Sequence, residues 1–300
     1  MESLKTILYF SIFRYPLNID EIHSYTNHND LSETKGEISQ LIERKILTDI
    51  DGFYVYGNDL ESVTKRLKGN IQAKKAMIIA KQRAKFISKF PFVKAVGISG
   101  SLSKDYYDED SDIDFFVITK DSKLWICRTL LMLYKKLFLL NSRKYFCINY
   151  FISESQLEIQ EKNRFTATEL KTLIPLEGKT IFEDFYKNNN WINDYFSNFQ
   201  PNTDSVNSTE KTYFTAFLEF LMNNNVGNGI DSLFKTLTLK KWNSKFHYLN
   251  EDDFKIALKS TKNISKHHPS NFQKKVITAL NEKVEEVQIK FKIELAKEYV

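Results

Sequence analysis

Cysteine, glycine and proline are scarce in this chain of 300 residues, which contains 2, 9 and 5 of them. Two cysteines do not make a disulfide framework or a cysteine-based zinc site. Cys127 and Cys147 each lie inside an apolar run, where a buried thiol behaves as a small hydrophobic side chain. Little glycine and proline beside 42% hydrophobic residues excludes a disordered or fibrous chain. The composition predicts a helix-rich globular protein with an ample core.

A long uninterrupted apolar segment is also lacking. The most apolar stretch, residues 124–140, carries Arg128, Lys135 and Lys136 in its interior, which favours a helix packed on a sheet over a membrane span. The chain does not start with a basic segment followed by an apolar one, so we expect no signal peptide. These features predict a cytoplasmic protein without a membrane partner.

The excess of one charge sign is small, with 43 basic against 38 acidic residues and a net charge of +5. Such an excess is compatible with binding of a polyphosphate, but it falls short of that of a protein that coats nucleic acid. Function therefore has to be sought in individual motifs.

Residues 1–57 predict three helices followed by a β-hairpin. Asn18 and Ser32 are candidate N-caps of the second and third helices, and Asp51-Gly52 between two alternating runs is a strong hairpin signal. Three helices and a hairpin are typical of a winged-helix domain. However, the third helix is neutral overall and the hairpin is acidic, whereas a DNA-reading helix should be basic. We expect this module to pack on the rest of the protein or to dock a partner, and DNA binding stays an alternative.

The rest of the chain changes pattern three times. Residues 58–90 predict a basic connector helix with a candidate break at Gly69-Asn70, and residues 91–155 alternate strand and helix signals. Residues 156–300 show helical periodicity with polar joints, and we expect a helical C-terminal region there. The whole chain thus predicts an α+β protein built around the segment 91–155.

Gly100-Ser101 ends the first predicted strand of that segment, residues 92–98, and precedes a short helix. A strand that runs into such a turn presents backbone N–H groups and a hydroxyl at a helix N-terminus, where both favour an anion. Gly100 lets the backbone approach the ligand closely. Lys104, one turn further on, is a candidate for contact with a terminal phosphate. This pair therefore predicts a phosphate-binding site.

Asp112 and Asp114 flank one residue at the entrance of the next predicted strand, residues 112–119. If both lie in the strand, their carboxylates project from one face with Cα atoms about 7 Å apart. Two carboxylates at that separation repel each other unless a hard cation lies between them, and Mg²⁺ prefers carboxylate, water and phosphate oxygens. A phosphate grip beside a magnesium pair suggests phosphoryl or nucleotidyl transfer.

Gly100-Ser101, a spacer of ten residues and Asp112-Ile113-Asp114 resemble the signature of the DNA polymerase β-type nucleotidyltransferase superfamily over residues 92–153. The resemblance implies a small mixed sheet as the nucleotidyltransferase core. It implies that Gly100 and Ser101 hold the triphosphate of an NTP donor, for which we expect ATP. Asp112 and Asp114 would bind two Mg²⁺ ions, one that activates the acceptor hydroxyl and one that neutralises the pyrophosphate.

The resemblance has one departure, because the superfamily usually supplies a third carboxylate from the next strand. Residues 145–152 hold Asn149 at the position that we align with it, and an amide oxygen can ligate Mg²⁺ weakly but cannot take a proton. Three alternatives follow. The site relies on two acids with Asn149 as a weak metal ligand, another acid substitutes, or the site binds nucleotide without turnover. The substitutes in reach along the chain are Glu154, Glu158 and Glu169.

We therefore hypothesise a Mg²⁺-dependent nucleotidyltransferase that acts on a hydroxyl of a small molecule or a protein. The alternatives are a catalytically silent nucleotide-binding module and a winged-helix regulator. A basic stretch near residues 255–275, which includes Lys266 and the pair His267-His268, is interpreted as a solvated helix face. Its alternative is that some of these residues fold back over the site and contact triphosphate or an acidic acceptor.

Overall fold

The computed structural model describes residues 1–299, which form eleven α-helices and seven β-strands. The helices are α1 (Glu2–Ser11), α2 (Ile19–Ser24), α3 (Leu31–Glu43), α4 (Leu60–Ser88), α5 (Leu124–Phe138), α6 (Arg164–Thr172), α7 (Lys179–Asn188), α8 (Tyr213–Met222), α9 (Asn225–Lys245), α10 (Glu251–Ala257) and α11 (Phe272–Phe291). The strands are β1 (Leu47–Ile50), β2 (Phe53–Tyr56), β3 (Val93–Ser99), β4 (Asp114–Thr119), β5 (Cys147–Ser153), β6 (Ile174–Glu177) and β7 (Ile264–Lys266). Among the described residues, no helix is long and apolar enough to cross a membrane.

The first segment has the predicted order of three helices and a hairpin. Asn18 caps α2 through a capping box, because its side chain accepts the N–H of Glu21 while the Glu21 carboxylate accepts the N–H of Asn18. The third helix begins two residues earlier than predicted, since Asp30 and not Ser32 is its N-cap. That residues 1–57 form a winged-helix domain stays a prediction.

The N-terminal helices share one hydrophobic cluster with α11. Leu4, Leu8 and Leu41 pack in the same cluster as Leu280 and Val284. The hydroxyl of Tyr56 on the hairpin also donates to Glu286 at 2.8 Å. The N-terminal segment is therefore held by the C-terminal helix of the chain.

The connector runs through Gly69-Asn70 as one continuous helix, so the predicted break is absent. Gly69 has a packing role instead, because a Cβ atom there would lie 2.3 Å from ring atoms of Tyr106. The glycine thus lets the loop that follows β3 lie directly against α4. A sequence pattern does not distinguish this close approach from a helix break.

Five strands form a mixed sheet in the order β6-β3-β4-β5-β7. β4 and β5 are parallel and are connected through α5, and every other neighbouring pair is antiparallel. This sheet confirms the α+β fold class. The C-terminal region is mostly helical, but it also supplies the two edge strands, β6 and β7, which the helical periodicity did not predict.

The two faces of the sheet bury different helices. Val117 and Phe151 point to the face covered by α4 and α5, whereas Phe116, Ile118 and Ile152 point to the face covered by α6 and α7. The second face is incompletely covered beside α6, at the end of the sheet where β3 ends and β4 begins. The gap there is the cavity described next.

Candidate functional site

A cavity of about 430 Å³ lies between the sheet, α6, α10 and the beginning of α11. It is lined at one end by Gly100, Ser101, Asp112, Asp114 and Asn149. The structure therefore brings five of the six predicted site residues together on one cavity. Lys104 is the exception, since it does not line the cavity.

Gly100 has the backbone conformation that the predicted turn requires. Its φ is +71°, and a Cβ atom at this position would lie 2.6 Å from Oδ2 of Asp114. Its carbonyl oxygen accepts from Oγ of Ser103 at 2.8 Å and from Nζ of Lys104 at 3.1 Å. The N–H groups of Gly100 and Ser101 donate to no backbone group among residues 1–299. The turn is thus fixed through a carbonyl while two N–H donors stay free for a ligand.

Asp112 does not lie in a strand, because β4 begins at Asp114. Between them, Ile113 is fully buried and its N–H donates to the carbonyl of Lys144 at 3.0 Å. This anchor fixes the backbone between the two aspartates, and both of them line the cavity. The prediction that two strand residues share a face was therefore wrong for Asp112, although the two side chains do meet at the same cavity.

The carboxyl of Asp114 is an unusual acid. Its pKa is raised to about 6, mainly by burial and also by the negative charges of Asp112 and Glu169, whereas a hydrogen bond with Cys147 lowers it. Desolvation and like charges both disfavour the ionised form. This end of the cavity therefore carries more negative charge than the protein itself compensates, and a cation would relieve it.

Asn149 reaches the cavity through a β-bulge. Phe115 pairs with Ile148 but Phe116 pairs with Tyr150, so Asn149 is an extra residue in β5. As a result, Asn149 and Tyr150 both line the cavity although they are adjacent in sequence. The amide nitrogen of Asn149 donates to Oδ1 of Asp114 at 3.3 Å, so in this arrangement Asn149 positions the aspartate with its donor group.

Lys104 and Glu169 form an ion pair beside the turn, with 2.8 Å between Nζ and Oε1. Glu169 projects from α6 into the cavity, and its charge acts on Asp114. Of the three acids considered as substitutes for a third carboxylate, it alone lines the cavity. Glu154 instead faces Lys94 at 3.8 Å, and Glu158 pairs with Lys162 at 2.8 Å.

The far wall of the cavity, about two strands across the sheet from Asp114, is formed by residues that are distant in sequence. Lys266 on β7, His268, and Asn271 and Gln273 at the beginning of α11 line it. The interpretation of Lys266 and His268 as part of a solvated face was therefore wrong, and the alternative that they fold back over the site is the one observed. Sequence reasoning missed Asn271 and Gln273, because a local sequence pattern does not show which polar side chains are buried by tertiary packing.

Comparisons with known proteins support one assignment. Residues 79–187 match a family model described as a nucleotidyltransferase domain. The match begins within α4, ends within α7 and includes β3, β4, β5 and β6 together with the glycine–serine turn and both aspartates. No curated protein matches the chain significantly. No solved structure does so either.

Proposed function

We propose, from the premise that residues 79–187 are a nucleotidyltransferase domain of the DNA polymerase β-type superfamily, that the chain is a Mg²⁺-dependent enzyme. It would transfer a nucleoside monophosphate from an NTP, with ATP as the expected donor, to a hydroxyl of a small molecule. One observation carries the proposal. The free N–H groups of Gly100 and Ser101 and the carboxylates of Asp112 and Asp114 line the same end of one cavity.

The residues present fit Mg²⁺ bound together with a substrate. Among residues 1–299, no group of three or more His, Cys, Asp and Glu side chains is arranged to hold a metal ion by itself. Mg²⁺ is usually held by one or two carboxylates, several waters and substrate phosphates, so two aspartates suffice. The raised pKa of Asp114, which burial and two neighbouring acids cause, supports a site that is completed by a cation. Bound there, Mg²⁺ would supply charge neutralisation at the phosphates.

The chain's own residues would mainly position the reactants. The N–H groups of Gly100 and Ser101 would bind phosphate oxygens, and Asp112 and Asp114 would hold the Mg²⁺ that neutralises the phosphates. The acceptor oxygen then forms a bond to the α-phosphorus while the bond to pyrophosphate breaks. The hydroxyl proton needs an acceptor, and Glu169 is the acid that we propose for it because it lines the cavity.

Transfer of label from α-³²P-labelled NTPs to a fractionated small-molecule extract tests the proposal. We expect a labelled product with the wild type, no product with Asp112→Ala, and near-normal product with Asp110→Ala. Asp110 is a matched control, because it is exposed in the same acidic loop and does not line the cavity. Normal product from Asp112→Ala would refute the mechanism.

A silent nucleotide-binding module is the second candidate. It is favoured by Asn149, which stands where a third carboxylate is expected and donates to Asp114 at 3.3 Å. The silent module is also favoured by the Lys104–Glu169 pair, because Lys104 neutralises the one acid in the cavity that we consider as a substitute for the third carboxylate. Binding of Mg²⁺ and NTP without labelled product in any fraction would select this candidate over the enzyme.

A further inference from the structure

The cavity has a second polar end, at a distance from the aspartates. On its sheet face, Phe116, Tyr150 and Lys266 are paired neighbours across β4, β5 and β7. Asp114 lies two residues before Phe116 on β4. Strand spacing and rise then place the Cα atoms of Asp114 and Lys266 about 12 Å apart. A ligand at Lys266 therefore occupies a different part of the cavity from a phosphate at Gly100.

Lys266 is a buried cation without an acidic partner. Its side chain is 9% exposed and donates to Oε1 of Gln273 at 3.2 Å. No carboxylate among residues 1–299 forms an ion pair with it, and the nearby Glu161 is paired with Lys259 at 2.8 Å. Burial without a partner lowers the pKa of Lys266. The carboxylate whose charge acts on Lys266, Glu161, also lines the cavity but is paired with Lys259. The buried charge is therefore incompletely compensated, and a bound anion would relieve the cost.

Asn271 and Gln273 at this end each have one side-chain atom without a hydrogen-bond partner. Nε2 of Gln273 and Oδ1 of Asn271 are buried and form no hydrogen bond, although Gln273 is only 4% exposed. Burial lowers the pKa of His268 to about 4, so its ring is neutral at pH 7. Since Oδ1 of Asn271 and Nε2 of Gln273 are enclosed by the protein, they offer no contact to a ligand, and Lys266 is the binding group at this end of the cavity.

We propose that this end of the cavity binds the acceptor of the transfer reaction, and that the acceptor is a small hydroxy acid. Its carboxylate or phosphate would accept a hydrogen bond from Nζ of Lys266. The proposal rests on the proposed function, since it names the substrate of the same cavity.

Charge decides between the acceptor and the nucleobase of the donor as the occupant. A nucleobase is neutral and would leave Lys266 uncompensated, whereas an anionic group pairs with it. The wall between the two ends is formed by Phe116, Tyr150 and Ile159, which suits a short carbon chain. The hydroxyl that reacts would then extend from the anchored acid towards Asp114.

Thermal unfolding of the full chain with three matched probes tests the proposal. D-glycerate, glycerol 3-phosphate and glycerol share a hydroxylated three-carbon chain and differ in carrying a carboxylate, a phosphate or neither. We expect a saturable rise of Tm with at least one of the two acids and none with glycerol at the same concentration. Sodium chloride at the same ionic strength as the two acids is the control for a general salt effect.

Two variants remove the charge by different routes. Lys266→Met deletes the cation at similar length, and Gln273→Glu gives Lys266 an internal carboxylate. Both should abolish the acid-dependent rise of Tm. Lys262→Met is the control, because it makes the same substitution at an exposed position of the same segment outside the cavity. It should respond as the wild type does. The Gln273→Glu variant keeps the test valid if Lys266→Met fails to fold.

Stabilisation by Mg²⁺ and ATP, measured on the same variants, separates this proposal from the proposed function. We expect it to be unchanged in Lys266→Met and lost in Asp112→Ala/Asp114→Ala. If Lys266→Met loses it, Lys266 contacts the donor triphosphate and the acceptor proposal is wrong. Equal effects of the acids and glycerol, or no effect of either acid, would also overturn it. If no NTP stabilises the wild type, nucleotidyl transfer is refuted, whereas the binding of an anion at Lys266 is not.

Discussion

The two ends of the cavity are built in opposite ways. At the aspartate end, Gly100, Ser101, Asp112 and Asp114 come from the connection between β3 and β4 and from the first residue of β4. At the lysine end, Lys266, His268 and Gln273 come from an edge strand, the loop after it and the next helix, more than a hundred residues later. The first end has excess negative charge and the second has an unpaired positive charge. One cavity can therefore combine a local sequence motif that supports a general chemistry with a wall of residues, distant in sequence, that selects the substrate.

The largest expected effect falls on the aspartate end. Asp114→Asn should lower the rate of nucleotidyl transfer by about 10³-fold or more, because it removes a carboxylate that positions the phosphates. Lys266→Met should instead raise KM for the acceptor with a smaller change in kcat, because anchoring contributes mainly to binding. Steady-state kinetics with both variants check the contrast. Similar losses of kcat in the two variants would contradict it.

Gly100→Ala should lower transfer by about 10²-fold, since a 1 Å misplacement is costly. The new Cβ atom would lie 2.6 Å from Oδ2 of Asp114 in a backbone with φ of +71°. It should also destabilise the protein by about 1–3 kcal/mol. Gly36→Ala is the control, because Gly36 lies in α3 with nothing within 4 Å of the added atom. That variant should be active and as stable as the wild type or more so.

Glu169→Gln should lower kcat by about 10²-fold with a smaller change in KM for the acceptor, if Glu169 takes the proton of the acceptor. Glu158→Gln is the matched control, since it also breaks an acid–lysine pair but lies outside the cavity. An unchanged kcat for Glu169→Gln would show that another group accepts the proton.

The pKa of Asp114 makes the stability of the metal-free protein depend on pH. Because burial raises this pKa to about 6, the folded state binds more protons than the unfolded state between about pH 4 and 6. The free energy of unfolding should therefore fall as pH rises through this range. Asp114→Asn should be more stable than the wild type at pH 8, by on the order of 2 kcal/mol, and no more stable below pH 4. Denaturant unfolding with EDTA at both pH values measures this.

Asn149→Asp tests why an amide stands in the bulge of β5. In this variant the amide nitrogen that donates to Oδ1 of Asp114 at 3.3 Å would be replaced by a carboxylate oxygen, which repels Asp114. We expect a loss of about 1 kcal/mol of stability without metal, recovered with Mg²⁺. Asn202→Asp, at an exposed position, should change neither value. A variant as stable as the wild type in EDTA would show that Asn149 does not limit the charge at this site.

The sequence predicts the residues of the aspartate end of the cavity much better than those of the lysine end. The glycine–serine turn, the acid pair and the fold class followed from local spacing, and the structure brings the residues of the aspartate end together. The role of Gly69, the bulge at Asn149 and the non-strand position of Asp112 depend on packing partners that local patterns do not identify. The lysine end was predictable least, because β7 has three residues and its pairing with β5 is set by tertiary structure.

Isothermal titration of ATP, GTP, CTP and UTP, each with and without Mg²⁺, is the sharpest test of whether Mg²⁺ and the two aspartates together bind an NTP. The wild type and Asp112→Ala/Asp114→Ala would be titrated side by side. We expect at least one NTP to bind the wild type only with Mg²⁺ and not to bind the double variant. Binding that is equal in the two proteins, or no binding of any NTP to the wild type, would contradict it.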